Sequence, residues 1–299
     1  MKYIFHRIMY LLLKIFGKKM IFIGRDYIGI GTRIKQLASY HICFGLDNTW
    51  LFWKTAGWVN KNFDELFRLN EIVNFKSISI KTKKNLPVIS YPEKNEFYDR
   101  GCWRLYVDDK DVSNNFVSMD GDKAFPSIDF RYNEIPEHVI KKYLVFFEKL
   151  TPSSLVLKRI QNVEISDQDV CVHVRNSTDQ NDTANVPYIT SYFNILNKFP
   201  PSTRFFLSAM DKSIANLFYD AYKTRIYELP NKDYSSMIDA VADLYLLGKG
   251  KEFVVTWGSS FPEIAWWLGG CRQKVIIVRP SYNQKITVNH EAINPTASQ

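Results

Sequence analysis

The chain runs to 299 residues, enough for one large domain or two of ordinary size, and its 46% apolar content supports a sizeable core. Lysine and arginine exceed aspartate and glutamate by 39 to 31, a formal net charge of +8. The excess is spread along the chain without any nucleic-acid-binding motif, which sets nucleic acid aside and leaves a solvated basic surface, anionic lipid or substrate phosphates as its use. Cys43, Cys102, Cys171 and Cys271 stand far apart with no Cys-x-x-Cys pair. That argues against a zinc ribbon or a disulfide framework and makes a reducing cytoplasm the simplest location.

Residues 1–19 mix Ile4, Phe5, Ile8, Leu11, Leu12, Leu13, Ile15 and Phe16 with His6, Arg7, Lys14, Lys18 and Lys19. The uninterrupted apolar run is too short for a membrane span, which takes about 20 residues, and no small-residue cleavage site follows. Two readings stand side by side. One is a basic helix lying on the inner face of a membrane, which makes the protein peripheral there; the other is a helix docked on the protein's own core.

Met20 to Gly24 reads as a buried strand, followed by a loop from Arg25 to Gly31. A helix is predicted from near Thr32, with Ile34, Leu37, Ala38 and Ile42 on one face, and Thr49 to Trp53 as the next strand. This is a βαβ opening. From about Phe67 to Asn133 short strand-like pieces (Ser77 to Ile80, Trp103 to Val107) alternate with polar turns. Helices follow over Pro136 to Leu150 and Pro152 to Ile160, and the Thr151-Pro152-Ser153-Ser154 junction is the expected domain boundary. It divides an N-terminal lobe of residues 20–150 from a C-terminal lobe of residues 151–290, with a polar tail over 291–299.

In the C-terminal half, strands are predicted over Asp169 to Val174, Arg204 to Ser208, Arg225 to Glu228, Glu252 to Thr256 and Lys274 to Val278. Helices fall between them, over Pro187 to Leu196, Ser213 to Tyr222, Ser235 to Leu247 and Pro262 to Leu268. Strands and helices alternating at this spacing imply a parallel, doubly wound sheet, whose ligands bind beyond the carboxyl ends of the strands. The loops there carry Gly29, Gly31 and Arg33, then Arg175, then Asp211, then Ser259 and Ser260. Two arginines and a hydroxyl-bearing helix start suit a diphosphate. Ser260 with Glu263 fits a capping box and Pro262 a first helical turn, so capping alone is the rival explanation of the serine. His173 shares a strand face with Arg175, although a lone strand histidine is more often a core residue. Gly29-x-Gly31 falls short of a dinucleotide fingerprint.

At these residues the chain resembles the fucosyltransferase superfamily of α1,2-, α1,6- and protein O-fucosyltransferases and the rhizobial nodulation fucosyltransferase. Gly29-Ile30-Gly31-Thr32-Arg33 looks like the glycine-rich turn of the family's first domain. His173-Val174-Arg175 looks like the start of its HxRRxD motif. Asp243 to Leu247 and Gly258-Ser259-Ser260-Phe261 look like its acidic residue before a helix end and its serine motif. Asn176 stands in place of the second motif arginine, and the acidic residue arrives one position late as Asp179.

The resemblance implies an α/β GT-B fold, two Rossmann-like lobes with a ligand cleft between them. Arg175 then binds the β-phosphate of GDP-fucose, His173 lines the nucleotide site, Asp243 approaches guanine, and Ser259 or Ser260 holds a phosphate. The implied reaction is an inverting, metal-independent transfer of fucose to a glycan hydroxyl, giving an α-fucoside. Asp179, Asp182 and Asp26 are the candidate bases. A bacterial surface polysaccharide or other oligosaccharide is the expected acceptor, a lipid-linked one suiting the basic, apolar N-terminus. No cofactor beyond the donor is expected, nor a metal, since no His/Cys cluster has ligand spacing. The alternatives are transfer from another GDP-sugar, a non-catalytic nucleotide-sugar-binding protein, and a scaffold at a membrane surface.

Overall fold

The computed structural model describes residues 19–23, 29–44, 49–53, 55, 57, 59–70, 72–76, 116–118, 137–175 and 187–279. They fall into two compact units, the first ending at Ser153 and the second beginning at Ser154.

The first unit is built on a parallel sheet of β1 (Lys19–Ile23), β2 (Thr49–Trp53), β4 (Ile72–Lys76) and β5 (Phe116–Ser118), in the order β4-β2-β1-β5. β1 begins at Lys19, so the last residue of the predicted N-terminal segment belongs to the sheet. Residues 1–18 lie outside the described residues, as do the predicted strands Ser77 to Ile80 and Trp103 to Val107. Helix α1 (Ile30–Phe44) begins two residues before the predicted start and draws Gly31 into its first turn. Its Ile30, Ile34, Leu37 and Ala38 are buried, and it packs on α3 (Glu137–Lys149). Helix α2 (Phe63–Leu66) is held by a capping box in which Glu65 Oε2 accepts from the Asn62 amide at 2.8 Å. β3 (Phe67–Arg68) then pairs antiparallel with β6 (Thr151–Pro152).

The second unit opens with α4 (Ser154–Ile160) and continues through β7 (Val170–Val174), α5 (Ile189–Leu196), β8 (Phe205–Ala209) and α6 (Lys212–Tyr222). A 3₁₀ turn over Lys223–Arg225 leads into β9 (Ile226–Tyr227), α7 (Met237–Leu247), β10 (Glu252–Thr256), α8 (Ser260–Leu268) and β11 (Lys274–Val278). All five strands are parallel, in the order β11-β10-β7-β8-β9. Alternation along the strands decides the two faces. Val170, Val172, Val174, Phe205 and Leu207 pack with Tyr192, Ile195 and Leu196 of α5 and Phe218 and Tyr222 of α6. Full burial of one such side chain stabilises the fold by about 1.5–3 kcal/mol. The intervening residues face the other way, Cys171 toward Leu246 of α7 and His173 toward Phe261 of α8.

α7 packs on α4 and α8. The carboxyl ends of α7 and α8 meet at a pair of glycines, where a Cβ on Gly269 would lie 2.4 Å from the Gly248 carbonyl oxygen. Any side chain there would push the two helices apart. The chain runs from β7 outward to β8 and β9, then returns to place β10 on the other side of β7. The winding therefore reverses between β7 and β10, where an open sheet leaves a crevice at its carboxyl edge.

Candidate active site

A threonine ties that crevice together. Thr256 closes β10, and its hydroxyl accepts the Arg175 amide at 2.8 Å and donates to the His173 carbonyl at 3.1 Å. With its proton so used, it accepts from the buried Tyr192 hydroxyl at 2.6 Å. Three neutral hydrogen bonds from one side chain fix where β7 ends and so where the Arg175 side chain starts. A threonine at a strand terminus gives no sequence signal, because its partners come from a strand far away along the chain.

Arg175 is partly exposed, while His173 is buried with its ring stacked on Phe261, centroids 5.3 Å apart and planes 24° from parallel. Burial, reinforced by the charges of Arg175 and Lys232, pushes the His173 imidazole down to about 3, so it is neutral at physiological pH. Its Nδ1 is buried and has no hydrogen-bond partner among the described residues. The register of β7 on β8 sets Ser208 opposite His173 on the same face. There the Ser208 hydroxyl donates to Asp243 Oδ2 at 2.7 Å, and the Lys232 ammonium donates to the same oxygen at 2.7 Å. Asp243 Oδ1 is buried and has no partner among the described residues. Burial raises this carboxyl above its ordinary value, opposed by Lys232 and Ser208. A buried polar atom left unbonded costs about 1–3 kcal/mol. One on His173 and one on Asp243, whose strands and helix meet at this edge, suit a planar polar ligand that brings its own hydrogen-bonding edge.

Between β10 and α8 the backbone turns through Gly258, whose φ of +68° belongs to the left-handed region that glycine enters without strain. The residue capping α8 is Ser259, and its side chain makes no cap hydrogen bond. The expected capping box from Ser260 to Glu263 therefore falls out of register: Ser260 is already the first helical residue, although Pro262 does lie in the first turn. What this helix start offers is backbone amides and the positive end of the helix dipole, which together attract an anion.

His173, Arg175, Asp243, Ser259 and Ser260 thus gather at the carboxyl edge of one sheet. Gly29, Gly31 and Arg33 belong to the first unit. Arg33 is fully buried with its guanidinium 5.3 Å from the centre of the Trp53 ring, and a Cβ on Gly29 would meet nothing within 4 Å, so no close approach requires glycine there. Asp26, Asn176, Asp179 and Asp182 lie outside the described residues. Among the described residues no group of three or more His, Cys, Asp or Glu side chains is arranged to hold a metal ion. The sequence does contain three Asp-x-Asp pairs. Asp109 with Asp111 and Asp120 with Asp122 lie outside the described residues. Asp167 and Asp169 stand at the opposite edge of the sheet, bonded to Lys251 and Arg204 respectively. No described helix is long and apolar enough to cross a membrane.

No family model matches the chain, and no curated protein sequence does. Solved structures do. The fucosyltransferase NodZ from Bradyrhizobium is 15% identical with a TM-score of 0.56, over 87% of this chain and 96% of its own. An Arabidopsis thaliana FUT1 mutant in complex with GDP is 14% identical with a TM-score of 0.55, over 93% of this chain and 73% of its own. The apo form of POFUT1 is 11% identical with a TM-score of 0.52, over 87% and 97%. The chain is an α/β protein with a five-stranded parallel sheet matching GT-B glycosyltransferase structures. More narrowly, its fold is similar to those of the solved NodZ, FUT1 and POFUT1 structures.

Proposed function

We propose that the protein is an inverting glycosyltransferase that takes its sugar from a GDP-linked donor, GDP-fucose in the first instance, and delivers it to a glycan hydroxyl. The observation that carries the reading is the pair of buried atoms without a partner among the described residues, His173 Nδ1 and Asp243 Oδ1, at an edge that also holds Arg175 and the start of α8, where Ser259 makes no side-chain cap. A guanine base would meet the first two, stacked beside Phe261. A diphosphate would meet the second two. The fold supports this, since a NodZ α1,6-fucosyltransferase that it resembles was soaked with GDP-fucose.

In this reaction the acceptor oxygen forms a bond to the anomeric carbon as the bond from that carbon to the β-phosphate oxygen breaks. The acceptor proton passes to a carboxylate, for which Asp179, Asp182 and Asp26 are the candidates. Negative charge grows on the departing GDP, where the Arg175 guanidinium and the amides at the start of α8 stabilise it. Attack opposite the leaving group turns a β-linked donor into an α-linked product. The N-terminal unit would serve the acceptor, with a polysaccharide precursor as the class to screen. The sequence favours one second reading, because Asn176 replaces the family's second arginine: a donor carrying another sugar on GDP.

Calorimetric titration with GDP, UDP and ADP tests the proposal. GDP should bind best; equal or tighter binding of UDP would remove the guanine reading and leave only a nucleotide-sugar enzyme of some other kind.

A further inference from the structure

We infer that Lys232 sets base selectivity in this site, holding Asp243 as a carboxylate whose open oxygen accepts hydrogen bonds from a base edge with two adjacent N–H donors. The inference rests on the nucleotide reading above and adds to it a positioning residue and the feature of the base that is read.

Lys232 is held in place from several directions. The chain enters its loop through Asn231, in a left-handed conformation with φ of +51°, which throws the next residue back toward the sheet. Arg159 of α4 pins both the loop and α7. Its Nε and Nη2 reach the two Asp239 carboxylate oxygens at 2.6 and 2.8 Å, and Nη2 also donates to the Pro230 and Asn231 carbonyls at 3.0 and 3.3 Å. Asp239 Oδ2 accepts the Asp233 amide at 2.8 Å, so the backbone is fixed on both sides of Lys232. The amine sits with 6% of its side chain exposed and faces acceptors: Asp243 Oδ2 at 2.7 Å, the Ala209 carbonyl at 3.1 Å and Glu228 Oε1 at 3.6 Å. The Tyr234 ring lies 4.9 Å from it, and the Tyr234 hydroxyl donates to Glu228. A donor-only group among acceptors is an ammonium.

Folding alone gives little reason for that arrangement. A buried ion pair is often no better for stability than apolar side chains of equal volume, and this one serves two carboxylates with a single cation. Its consequence lies on the far side of Asp243. Lys232 and Ser208 both occupy Oδ2, which leaves Oδ1 as an acceptor with no proton of its own. Guanine presents a ring N–H next to an exocyclic amino group. Adenine presents a donor beside an acceptor, and uracil sets one N–H between two carbonyls. A carboxylate oxygen fits the first edge and is repelled by acceptors on the others. A protonated Asp243, by contrast, would offer a donor of its own and lose that preference.

Inosine diphosphate is the sharp probe, since it keeps the ring N–H and the diphosphate of GDP and lacks only the amino group. The wild-type protein should prefer GDP to inosine diphosphate roughly tenfold or more, the scale of one hydrogen bond to a charged acceptor. In Lys232→Met the preference should shrink to about threefold or less while the diphosphate still binds; Lys232→Arg should restore most of it, and Ser208→Ala should lose part. A Lys232→Met protein with the full wild-type preference overturns the inference. If that variant does not fold, an unchanged preference in Ser208→Ala overturns it instead. A wild-type protein that does not distinguish GDP from UDP overturns the nucleotide reading and this inference together.

Discussion

The two edges of the five-stranded sheet each bury an aspartate beside a cation, and they complete it to different degrees. At the amino edge, Asp169 is 3% exposed and both its oxygens are filled: Oδ1 accepts from Arg204 Nε at 3.1 Å, and Oδ2 accepts from Arg204 Nη2, the Ser166 amide and the Tyr227 hydroxyl. Burial alone would raise this carboxyl, but these donors outweigh it and hold it below its ordinary value. At the carboxyl edge, Asp243 is 1% exposed, has donors on one oxygen only and is raised. Donor count separates the two sites. The completed carboxylate belongs to the fold, and the incomplete one has an oxygen that the described residues leave without a donor.

The largest effect expected from breaking this contrast lies at the carboxyl edge, in Arg175. If its charge acts on a departing diphosphate, Arg175→Ala should lower kcat by about 10²–10³-fold, read as GDP released from GDP-fucose with a glycan acceptor. Arg175→Lys should recover little, because an ammonium lacks the paired geometry of guanidinium. Thermal unfolding of the same preparation supplies the control. A stable Arg175→Ala protein within about threefold of wild-type kcat, or roughly 0.7 kcal/mol, would move the site elsewhere.

The amino edge should answer in the opposite currency. Asp169→Ala removes a charged acceptor from three partners and should cost about 2–3 kcal/mol of stability by denaturant unfolding, with GDP affinity unchanged in the folded protein. The pH dependence sharpens the comparison. Asp169 has a lowered value in the folded state, so its contribution is present above the ordinary aspartate range and is lost as pH falls through the lowered value. The stability gap between wild type and Asp169→Ala should therefore close on acidification. Asp243 is raised, so its contribution is greatest below the ordinary range and is lost as pH rises through the raised value. Wild type should lose ground to Asp243→Asn as pH climbs. Parallel slopes for the two variants would erase the distinction between the edges.

Much of the second unit was legible because apolar alternation in buried parallel strands is unambiguous: β10 and β11 fall where the pattern put them, and β7 and β8 within one residue. Arg175 and His173 were legible because a charge at the end of an apolar strand stands out. Thr256, Ser208 and Lys232 were not. Each acts through a partner between 11 and 83 residues away, and a pattern read along the chain does not show which strands will be neighbours. Arg33 shows the reverse error. It sits in a helix start that looks suited to phosphate, yet the fold buries it against Trp53. The capping box failed for a smaller reason: two consecutive serines allow two registers, and the left-handed turn at Gly258 selects the earlier one.

That register supports the smallest of the expected effects. Of the helices that begin at the carboxyl edge, α6 and α8 have caps that differ as the two aspartates do. Asp211 caps α6 by accepting the Ile214 amide at 2.9 Å, and the Ser213 hydroxyl also donates to it, at 2.6 Å. Its truncation to alanine should cost about 0.5–2 kcal/mol of stability. Ser259 occupies the same position before α8 without a cap bond, so Ser259→Ala should leave stability within about 0.5 kcal/mol of wild type. If the hydroxyl instead serves the β-phosphate, GDP should bind roughly threefold to tenfold more weakly, the range of one ordinary hydrogen bond. GMP, which lacks that phosphate, should bind as before. Calorimetry with both nucleotides separates the alternatives. A Ser259→Ala protein that is destabilised like Asp211→Ala yet binds GDP normally would make Ser259 a cap after all, leaving the anion to the backbone amides of α8 alone.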